Sequence, residues 1–426
     1  MAAGKVPRDR LGREAVPSIA WAGIELGGQP MVKGRFLAAS IAACGALLLA
    51  ACGTSSNNGS SGPIKVGITG PFTGAYADPG TAIRNAGELA IADINAAGGI
   101  NGRKLQGFSE DDACDAQQGT QAASKLLTQG IIAIVGGYCS GASIPESDIL
   151  RRSGDLPFIT AASSNPKFTD QGYDNVFRMV SRDDAEAPAD VSFMQQWLKA
   201  SKIAILHDNT TYAKGVADSA KSSATGAGMT VTYFDAITPG EKDYTAALVR
   251  IGSTHPDVLF YTGYYPEFGL LAKEYVSLAP AYKLNGDSAD ADPSVLKVAG
   301  AAITNPGITI NTLPTTEFIH NAKNDAFTAS YKAKYGGAPG DYSSYEYDGM
   351  MALAQALKDN GGKTDAKSLN TALHAVNIAD GITGTIHFDN KGDRPAPEFL
   401  AVQAKGNPPA FAPIAIRQNG NWVAST

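Results

Sequence analysis

Two turns of this chain combine serine hydroxyls with the free backbone N–H groups of a helix start. Ser140 lies in the turn Gly136 to Gly141, and Ser163 and Ser164 lie in the turn Ala161 to Pro166, each turn directly after a short apolar run. Hydroxyls and N–H groups arranged in this way bind small anions such as a carboxylate. An ordinary helix cap is the alternative for each serine taken singly. The pairing of the two turns therefore predicts an anion site, provided that they meet in space.

A second group of residues is suited to a cation. Tyr212, Tyr264 and Asp287 each lie in a polar turn that follows an apolar run. Tyrosine faces attract an ammonium group, and a carboxylate balances its charge. The alternative is that the tyrosines cap a core and that the acid lies at the surface. Together the two groups predict a site for a molecule that carries both a carboxylate and an ammonium.

The sequence contains no catalytic or metal-binding motif. Ser140 stands in the run Tyr-Cys-Ser-Gly-Ala and lacks the Gly-x-Ser-x-Gly setting of a serine nucleophile. The five histidines show neither His-Glu-x-x-His nor a clustered spacing; they are His207, His255, His320, His374 and His387. We therefore predict a binding protein with no catalytic residue, no metal and no cofactor. An exported enzyme is the less favoured alternative.

The segment that ends at Cys52 is typical of a bacterial lipoprotein signal. A basic start after Met31 leads into an uncharged run of 16 residues, Phe36 to Ala51. A helix needs roughly 20 apolar residues to cross a bilayer, so this run is too short for a span. We predict that residues 1–51 comprise an over-called start before Met31 and then a signal peptide, and that the mature chain begins at lipid-modified Cys52. A short anchor helix and acylation of Cys44 are the alternatives.

Charge and composition limit the partners of the remaining chain. Removing residues 1–51 takes away six Lys or Arg and three Asp or Glu, so the net charge changes from −6 to −9. An acidic body disfavours nucleic acid and anionic membrane surfaces. Residues 52–63 are rich in Ser, Asn and Gly. This composition predicts a flexible tether with a reach of roughly 18 Å, so that the lipid alone contacts the membrane.

From Ile64 the chain alternates short apolar runs with amphipathic stretches, which is typical of βα units and parallel sheets. The run Ile64 to Ile68 predicts the first strand, and Thr81 to Ala97 predicts its helix. A new set of strands begins near residues 180–184. We predict an α/β fold of two doubly wound parallel-sheet lobes joined by a hinge. Lobe I comprises residues 64–182 and 306–384, and lobe II comprises residues 183–305 and 385–426.

Two cysteines, Cys114 and Cys139, follow Cys52. An extracytoplasmic setting permits a disulfide between them. Closing a loop over their separation of 25 residues contributes about 3.5 kcal/mol in the chain-entropy model. Two free buried thiols and a metal pair are the alternatives, although a metal needs more ligands than these two.

Three stretches of the chain resemble a known family, the periplasmic leucine/isoleucine/valine-binding proteins that serve branched-chain amino acid ABC transporters. The stretches are Ile91 to Ile100 (IADINAAGGI), Asp111 to Asp115 (DDACD) and Gly240 to Tyr244 (GEKDY), and the likeness extends from about Ile64 to the C-terminus. The resemblance implies a type I periplasmic binding protein fold, a cleft that closes on its ligand, and no catalysis. It also implies that Cys114 and Cys139 form the family disulfide.

The resemblance also implies roles for the residues of the predicted site. Ser140 and Ser164, with the backbone of Ala162 and the neighbouring Ser163, match the region that holds the ligand carboxylate in the first lobe. In the second lobe, Tyr212 and Tyr264 match contacts to the amino acid. The family's acid that pairs with the ammonium falls at Asp287 or at Ser288, and we favour Asp287 because a buried ammonium needs a counter-charge.

Two departures from the family pattern concern the pocket for the ligand side chain. Tyr138 stands where members with branched-chain ligands can have a smaller aliphatic residue, and Tyr76 to Pro79 replaces a loop that touches the ligand. If Tyr138 points into the cleft it narrows the space, and turning outward is the alternative. An amide, urea or an aromatic acid therefore stays open as the ligand.

We predict an extracytoplasmic lipoprotein, anchored to the bacterial cell membrane, that captures an amino acid between its lobes. Its partners are the ligand, which is a branched-chain or other apolar amino acid, and the permease subunits of an ABC transporter in other chains. A ligand sensor that serves a signalling receptor is a further alternative with the same fold.

Overall fold

The structure is a computed structural model that describes residues 62–395 and 398–425. Its first part alternates parallel strands with helices. The elements are β1 (Ile64–Gly70), α1 (Ala77–Ala96), β2 (Leu105–Asp111), α2 (Ala116–Thr128), β3 (Ile134–Gly136), α3 (Ser140–Arg152), β4 (Phe158–Thr160), α4 (Lys167–Asp170) and β5 (Val176–Arg178). The five strands form one parallel sheet in the order β2-β1-β3-β4-β5.

The second part repeats the alternation. Its elements are α5 (Asp183–Gln196), β6 (Lys202–His207), α6 (Thr211–Gly226), β7 (Thr230–Ala236), α7 (Thr245–Gly252), β8 (Val258–Thr262), α8 (Tyr265–Leu278), β9 (Lys283–Gly286), α9 (Ser294–Ala299) and β10 (Ile308–Thr312). Short 3-10 helices at Ser288–Ala291 and Gly300–Thr304 flank α9.

The last part of the chain adds three helices, a two-stranded sheet of β11 and β12, and three strands of a larger sheet. It begins with a 3-10 helix at Thr316–Phe318 and continues with α10 (Ala322–Tyr335), α11 (Ser343–Asp359), α12 (Ala366–His374), β11 (Asn377–Gly381), β12 (Gly384–His387), β13 (Leu400–Lys405), β14 (Ala410–Gln418) and β15 (Asn421–Ala424). The larger sheet has eight strands in the order β15-β14-β13-β10-β9-β8-β6-β7, and β13 to β15 run antiparallel to their neighbours.

Two lobes result, each built on one sheet. Lobe I comprises the five-stranded sheet with α1 to α4, together with α10 to α12, of which α11 packs on α1 and β3. Lobe II comprises the eight-stranded sheet with α5 to α9. The strands β1 and β8 are apolar and almost fully buried, as expected for parallel strands covered on both faces. The prediction of an α/β fold with two parallel-sheet lobes is confirmed.

The chain crosses between the lobes at other places than the sequence predicted. The predicted boundary at residue 306 assigns Ile308–Thr312 to lobe I, whereas this strand, β10, pairs with β9 and β13 of lobe II. The boundary at residue 385 likewise differs, because Asp393 forms an ion pair with Arg178 on β5 of lobe I. Lobe II resumes only at β13. Strand pairing and a buried ion pair, both long-range contacts, decide these assignments.

Helix α1 begins at Ala77, before the predicted Thr81. Pro79 and Gly80 lie in its first turn. Proline costs no hydrogen bond at position 79, because an N–H group there would have no acceptor within the helix. Both residues act as helix breakers elsewhere in a helix, which is why the sequence pattern placed the start after them.

A disulfide joins Cys114, in the loop after β2, to Cys139, which directly precedes α3. The two Cα atoms are 5.3 Å apart. Ala113 and Cys114 have positive φ angles, and the carboxylates of Asp111 and Asp112 accept hydrogen bonds from their N–H groups. Of the three alternatives for the cysteines, the disulfide is confirmed.

The predicted lipidation site Cys52 and the tether up to Ser61 lie outside the described residues. Among the helices in 62–395 and 398–425, none is long and apolar enough to cross a membrane.

We expect the disulfide to stabilise the folded protein by restricting the conformations of the unfolded chain. Replacing both cysteines in the variant C114S/C139S should lower the free energy of unfolding by about 3.5 kcal/mol, because the unfolded chain regains the entropy of an open loop. Urea unfolding of protein that lacks residues 1–52 measures this difference. Wild-type protein treated with a reductant is the matched control and should unfold like the variant. A variant as stable as oxidised wild type would contradict the expectation.

Candidate functional site

Five tyrosines form a continuous cluster where the two lobes meet, here called the interlobe tyrosine cluster. Tyr76, Tyr138 and Tyr342 come from lobe I, and Tyr212 and Tyr264 come from lobe II. The ring of Tyr264 is central: its centroid lies 4.7 Å from that of Tyr76, 5.6 Å from that of Tyr138 and 5.3 Å from that of Tyr212. The Tyr138 and Tyr342 rings are 5.8 Å apart, edge to face. The cluster packs aromatic faces from both lobes around one point.

A small cavity lies within this cluster. Its walls are Tyr138, Ala162, Ser164, Tyr212, Tyr264, Ala289 and Tyr342. Its volume is about 10 Å³, which is the space of about one water molecule. The lobes are therefore closed on each other, and a larger molecule enters only when they separate or when tyrosine side chains turn.

Five residues that the sequence singled out line this cavity. Ala162 and Ser164 follow β4, Tyr138 follows β3, Tyr212 follows β6, and Tyr264 follows β8. Each lies at the carboxyl end of a parallel strand, which is where ligands bind in such sheets. Tyr138 points into the cleft, so the alternative that it turns outward does not describe this structure.

Ser140 and Ser163 lie behind the cavity wall. The hydroxyl of Ser140 accepts a hydrogen bond from the N–H of Asn165 at 3.3 Å. Ser163 is fully buried and its hydroxyl bonds Ser143 Oγ at 2.6 Å. These contacts join the turn after β3 to the turn after β4. The two predicted turns thus meet in space, with Ser164 as the serine that reaches the cavity.

Asp287 also lies behind the wall. Its side chain accepts a hydrogen bond from the N–H of Ala289 at 3.2 Å, and its own N–H donates to Asp290 at 2.9 Å, which completes a capping box of the 3-10 helix. Its second carboxylate oxygen has no hydrogen-bond partner among the described residues. The residue predicted as the ammonium partner is thus engaged in capping its own turn.

Three residues of this region were missed by the sequence reasoning. Tyr342 precedes α11, far along the chain from the other tyrosines, and a Tyr- and Ser-rich run at 342–347 was the available signal. Asp183 and Glu186 lie in the first turns of α5, where acids are common because they complement the helix dipole. Because acids are ordinary at this position, nothing in the sequence indicated that both side chains are completely buried.

Buried carboxylates surround the lobe II side of the cavity. Burial raises the pKa of Asp183 to about 8, opposed by a hydrogen bond from Ser164. Burial raises the pKa of Glu186 to about 7, opposed by hydrogen bonds from Ser288. The pKa of Asp287 is raised by burial and then by the neighbouring Asp290 and Glu186. None of the three forms a salt bridge with any Lys or Arg in the described part of the chain. Where these groups are ionised, their negative charges favour a cation.

Arg178 holds the turn that carries Ser164. This fully buried guanidinium donates to the carbonyl oxygens of Ser163 at 2.6 Å and Asn165 at 3.1 Å, and to the Asp393 carboxylate at 2.7 Å. Burial lowers the pKa of Arg178, and the charge of Asp393 opposes this shift. The segment that contains Asp393 thus fixes the backbone on the lobe I side of the cavity.

Three direct hydrogen bonds connect the two lobes, and each joins a side chain to a group in the opposite lobe. They are Tyr265 Oη to Ala75 O (2.7 Å), Asn165 Nδ2 to Thr211 O (2.9 Å) and Ser294 Oγ to Asp78 Oδ2 (3.0 Å). These bonds exist only while the lobes are closed.

Residues 62–395 and 398–425 contain no group of three or more His, Cys, Asp or Glu side chains arranged to hold a metal ion.

Comparison with known proteins gives a consistent result. Residues 63–408 match the family described as periplasmic binding protein. The chain is 31% identical over 345 residues to the leucine-, isoleucine-, valine-, threonine- and alanine-binding protein of Pseudomonas aeruginosa, which covers 81% of this chain and 91% of that protein. It is 32% identical over 340 residues to the leucine-specific-binding protein of Salmonella typhimurium, covering 80% and 90%.

Solved structures share the fold at lower identity. A leucine binding protein from Thermotoga maritima superposes with a TM-score of 0.76 at 22% identity, covering 83% of this chain and 98% of that one. A solute binding protein of an ABC transporter from R. palustris, in complex with benzoate, superposes with a TM-score of 0.73 at 24% identity, covering 85% and 98%. At these identities the likeness shows the fold alone.

We expect Arg178 to be required for the lobe I turn. Arg178→Met keeps much of the side-chain volume but removes the donor to Asp393 Oδ1 and to the Ser163 carbonyl oxygen, both of which are buried. Asp393 Oδ2 keeps its bonds from Arg182 and Thr169. The two groups that lose their donor should together cost about 3 kcal/mol in the free energy of unfolding. Denaturant unfolding measures the loss. Arg151→Met is the matched control, because Arg151 pairs with Asp155 at the surface and should cost less than about 1 kcal/mol. Equal losses for the two variants would contradict a special role for Arg178.

Proposed function

We propose that this chain, which belongs to the periplasmic binding protein family, captures an amino acid between its two lobes and delivers it to an ABC transporter. The family consists of solute-binding proteins and not of enzymes. Its relatives at 31–32% identity over about 80% of the chain are named for binding leucine and other small amino acids. A branched-chain or other apolar amino acid is therefore the proposed ligand.

The observation that carries this proposal is the composition of the cavity wall. Lobe I contributes Ser164 and the backbone of Ala162, which suit a carboxylate, while lobe II contributes Tyr212 and Tyr264 next to buried acids, which suit an ammonium. A ligand with both groups bridges the lobes. It binds the closed state better than the open state and therefore shifts the population towards closure.

An aromatic acid is the second candidate ligand. The cavity is lined mainly by tyrosine rings, and a protein of the same fold binds benzoate. Aromatic faces pack well on an aromatic ligand. The buried carboxylates near Tyr212 oppose this candidate, because an acid without an ammonium adds a further negative charge to that region.

We also propose an extracytoplasmic location with a lipid anchor at Cys52. The family and the disulfide agree with an oxidising compartment outside the cytoplasm. Tethering would keep the protein near permease subunits while the two lobes open and close. Cys52 lies outside the described residues, so this part of the proposal rests on the signal sequence.

A thermal-shift panel tests the ligand class. A ligand with a micromolar dissociation constant is added at a concentration about a thousand times higher than that constant. Binding should then raise the free energy of unfolding by about 4 kcal/mol, which gives a clear rise in Tm. We expect L-leucine, L-isoleucine or L-valine to produce it. Leucinamide, which lacks the carboxylate, and isovaleric acid, which lacks the ammonium, are the matched controls and should not. A rise with benzoate or amides but with no amino acid would refute the proposed ligand.

A second prediction concerns closure. Tyr265→Phe removes the interlobe hydrogen bond to Ala75 and should weaken amino acid binding about fivefold, because one hydrogen bond of about 1 kcal/mol is lost from the closed state only. Calorimetry measures the affinity. Tyr275→Phe is the control: its hydroxyl bonds Tyr282 O at 2.8 Å within lobe II, so it should lower stability without changing affinity. The same affinity loss in both variants would argue against an interlobe latch.

A further inference from the structure

Glu186 occupies an unusual position in α5. Its side chain is fully buried, and one carboxylate oxygen accepts a hydrogen bond from the N–H of Ser288 at 3.2 Å. The other oxygen has no hydrogen-bond partner among the described residues. A buried carboxylate in this condition is costly unless a donor or a cation reaches it, or unless it takes up a proton.

Ser288 links Glu186 to the cavity. Its hydroxyl lies 3.4 Å from that of Tyr212, and Tyr212 forms part of the cavity wall. Ser288 is also one of the two positions at which the family resemblance places the acid that pairs with a ligand ammonium. A serine there carries no charge, so the counter-charge must come from a neighbour. Glu186 lies directly behind this serine, because its carboxylate accepts the N–H of Ser288. Asp287 uses one oxygen to cap its own turn and, like Glu186, leaves the other without a partner among the described residues.

The groups that face Glu186 are acids and tyrosines. They are Asp183 and Asp190 of its own helix, Asp290 of the 3-10 helix after β9 and Asp287 directly before that helix, Tyr212 of α6, Tyr345 of α11 and Tyr342 directly before α11. The cations near this group act on other residues: Arg178 on Asp183, and Arg417 on Asp190. Within the described chain, Glu186 therefore has no cationic partner.

We propose that Glu186 supplies the counter-charge for the ligand's ammonium group, acting across Ser288 and Tyr212, and that the site thereby selects amines over acids that lack one. This inference rests on the proposed function and adds to it the residue that selects ligands by their charge. The tyrosine faces contact the ammonium directly, and the carboxylate behind them lowers the energy of the positive charge in a site that excludes water.

A dependence on pH follows from this arrangement. Burial raises the pKa of Glu186 to about 7, so the free protein holds it partly protonated at neutral pH. An ammonium in the cavity favours the ionised carboxylate and lowers this pKa in the complex. Binding must then release protons near pH 7, and affinity must fall as the pH drops below about 7. The surrounding acids share in this release because their charges are coupled to that of Glu186.

Calorimetry with L-leucine as the probe tests the proposal. Titrations at pH 5.5 to 8.5, each in two buffers of different ionisation enthalpy, give both the affinity and the number of protons released. We expect wild-type protein to release protons near pH 7 and to bind more tightly as the pH rises. Glu186→Gln keeps the side-chain shape and an oxygen for the Ser288 N–H, but it should bind at least tenfold more weakly at pH 8 and show a flatter pH profile.

Glu346→Gln is the matched control. Glu346 is a fully buried acid in α11 whose carboxylate oxygens have no partner in the described residues, but it packs beside Gly87 of α1 and not at the cavity. Burial raises its pKa as well. This variant should keep the wild-type affinity for leucine and the wild-type proton release, which separates the effect of any buried acid from that of Glu186.

Three results would overturn the inference, and they differ in what they say of the proposed function. If Glu186→Gln binds leucine with wild-type affinity and proton release, only the inference fails. If wild-type protein binds leucine with no proton release and no pH dependence, the inference fails without reliance on a variant. If wild-type protein binds benzoate and no amine, the inference and the proposed amino acid function fail together.

Discussion

The site depends on one constraint, which is that the carboxyl ends of two parallel sheets converge on a single point. Strands β3 and β4 of lobe I and strands β6, β8 and β9 of lobe II all end beside the same cavity. In a parallel sheet every strand ends at the same edge, so the loops that follow collect there. Every residue of the cavity wall except Tyr342 comes from such a loop or from the first residues after it.

The buried charged groups of the two lobes differ in whether they have a partner of opposite charge. In lobe I, Arg178 meets Asp393 and two backbone carbonyls, so its charge and its donors are satisfied. In lobe II, Asp183 and Glu186 are equally buried but form no ion pair among the described residues, and burial raises their pKa values. The first arrangement holds a binding loop rigid. The second leaves buried acids whose ionised form is unfavourable without a cationic partner.

The interlobe tyrosine cluster connects closure to recognition. Its rings fill the closed cleft almost completely, since the cavity measures only about 10 Å³. Every tyrosine of the cluster therefore contributes packing to the closed state, and four of the five also line the cavity that we propose as the ligand site. Tyr138 takes more of this space than the aliphatic residue that the family resemblance suggests, so an amino acid of the proposed kind would fit only after a movement of rings or of lobes.

The sequence by itself determined the α/β alternation, the turns that carry Tyr138, Ala162, Ser164, Tyr212 and Tyr264, and the cysteine pair, because local periodicity and turn composition encode them. Tertiary structure alone decided that β10 belongs to lobe II and that Asp287 caps its own turn. It also brought Glu186 next to Ser288, 102 positions away in the chain. The physical reason is that strand pairing, burial and unpaired charge are properties of residues distant in sequence, and no local pattern records them.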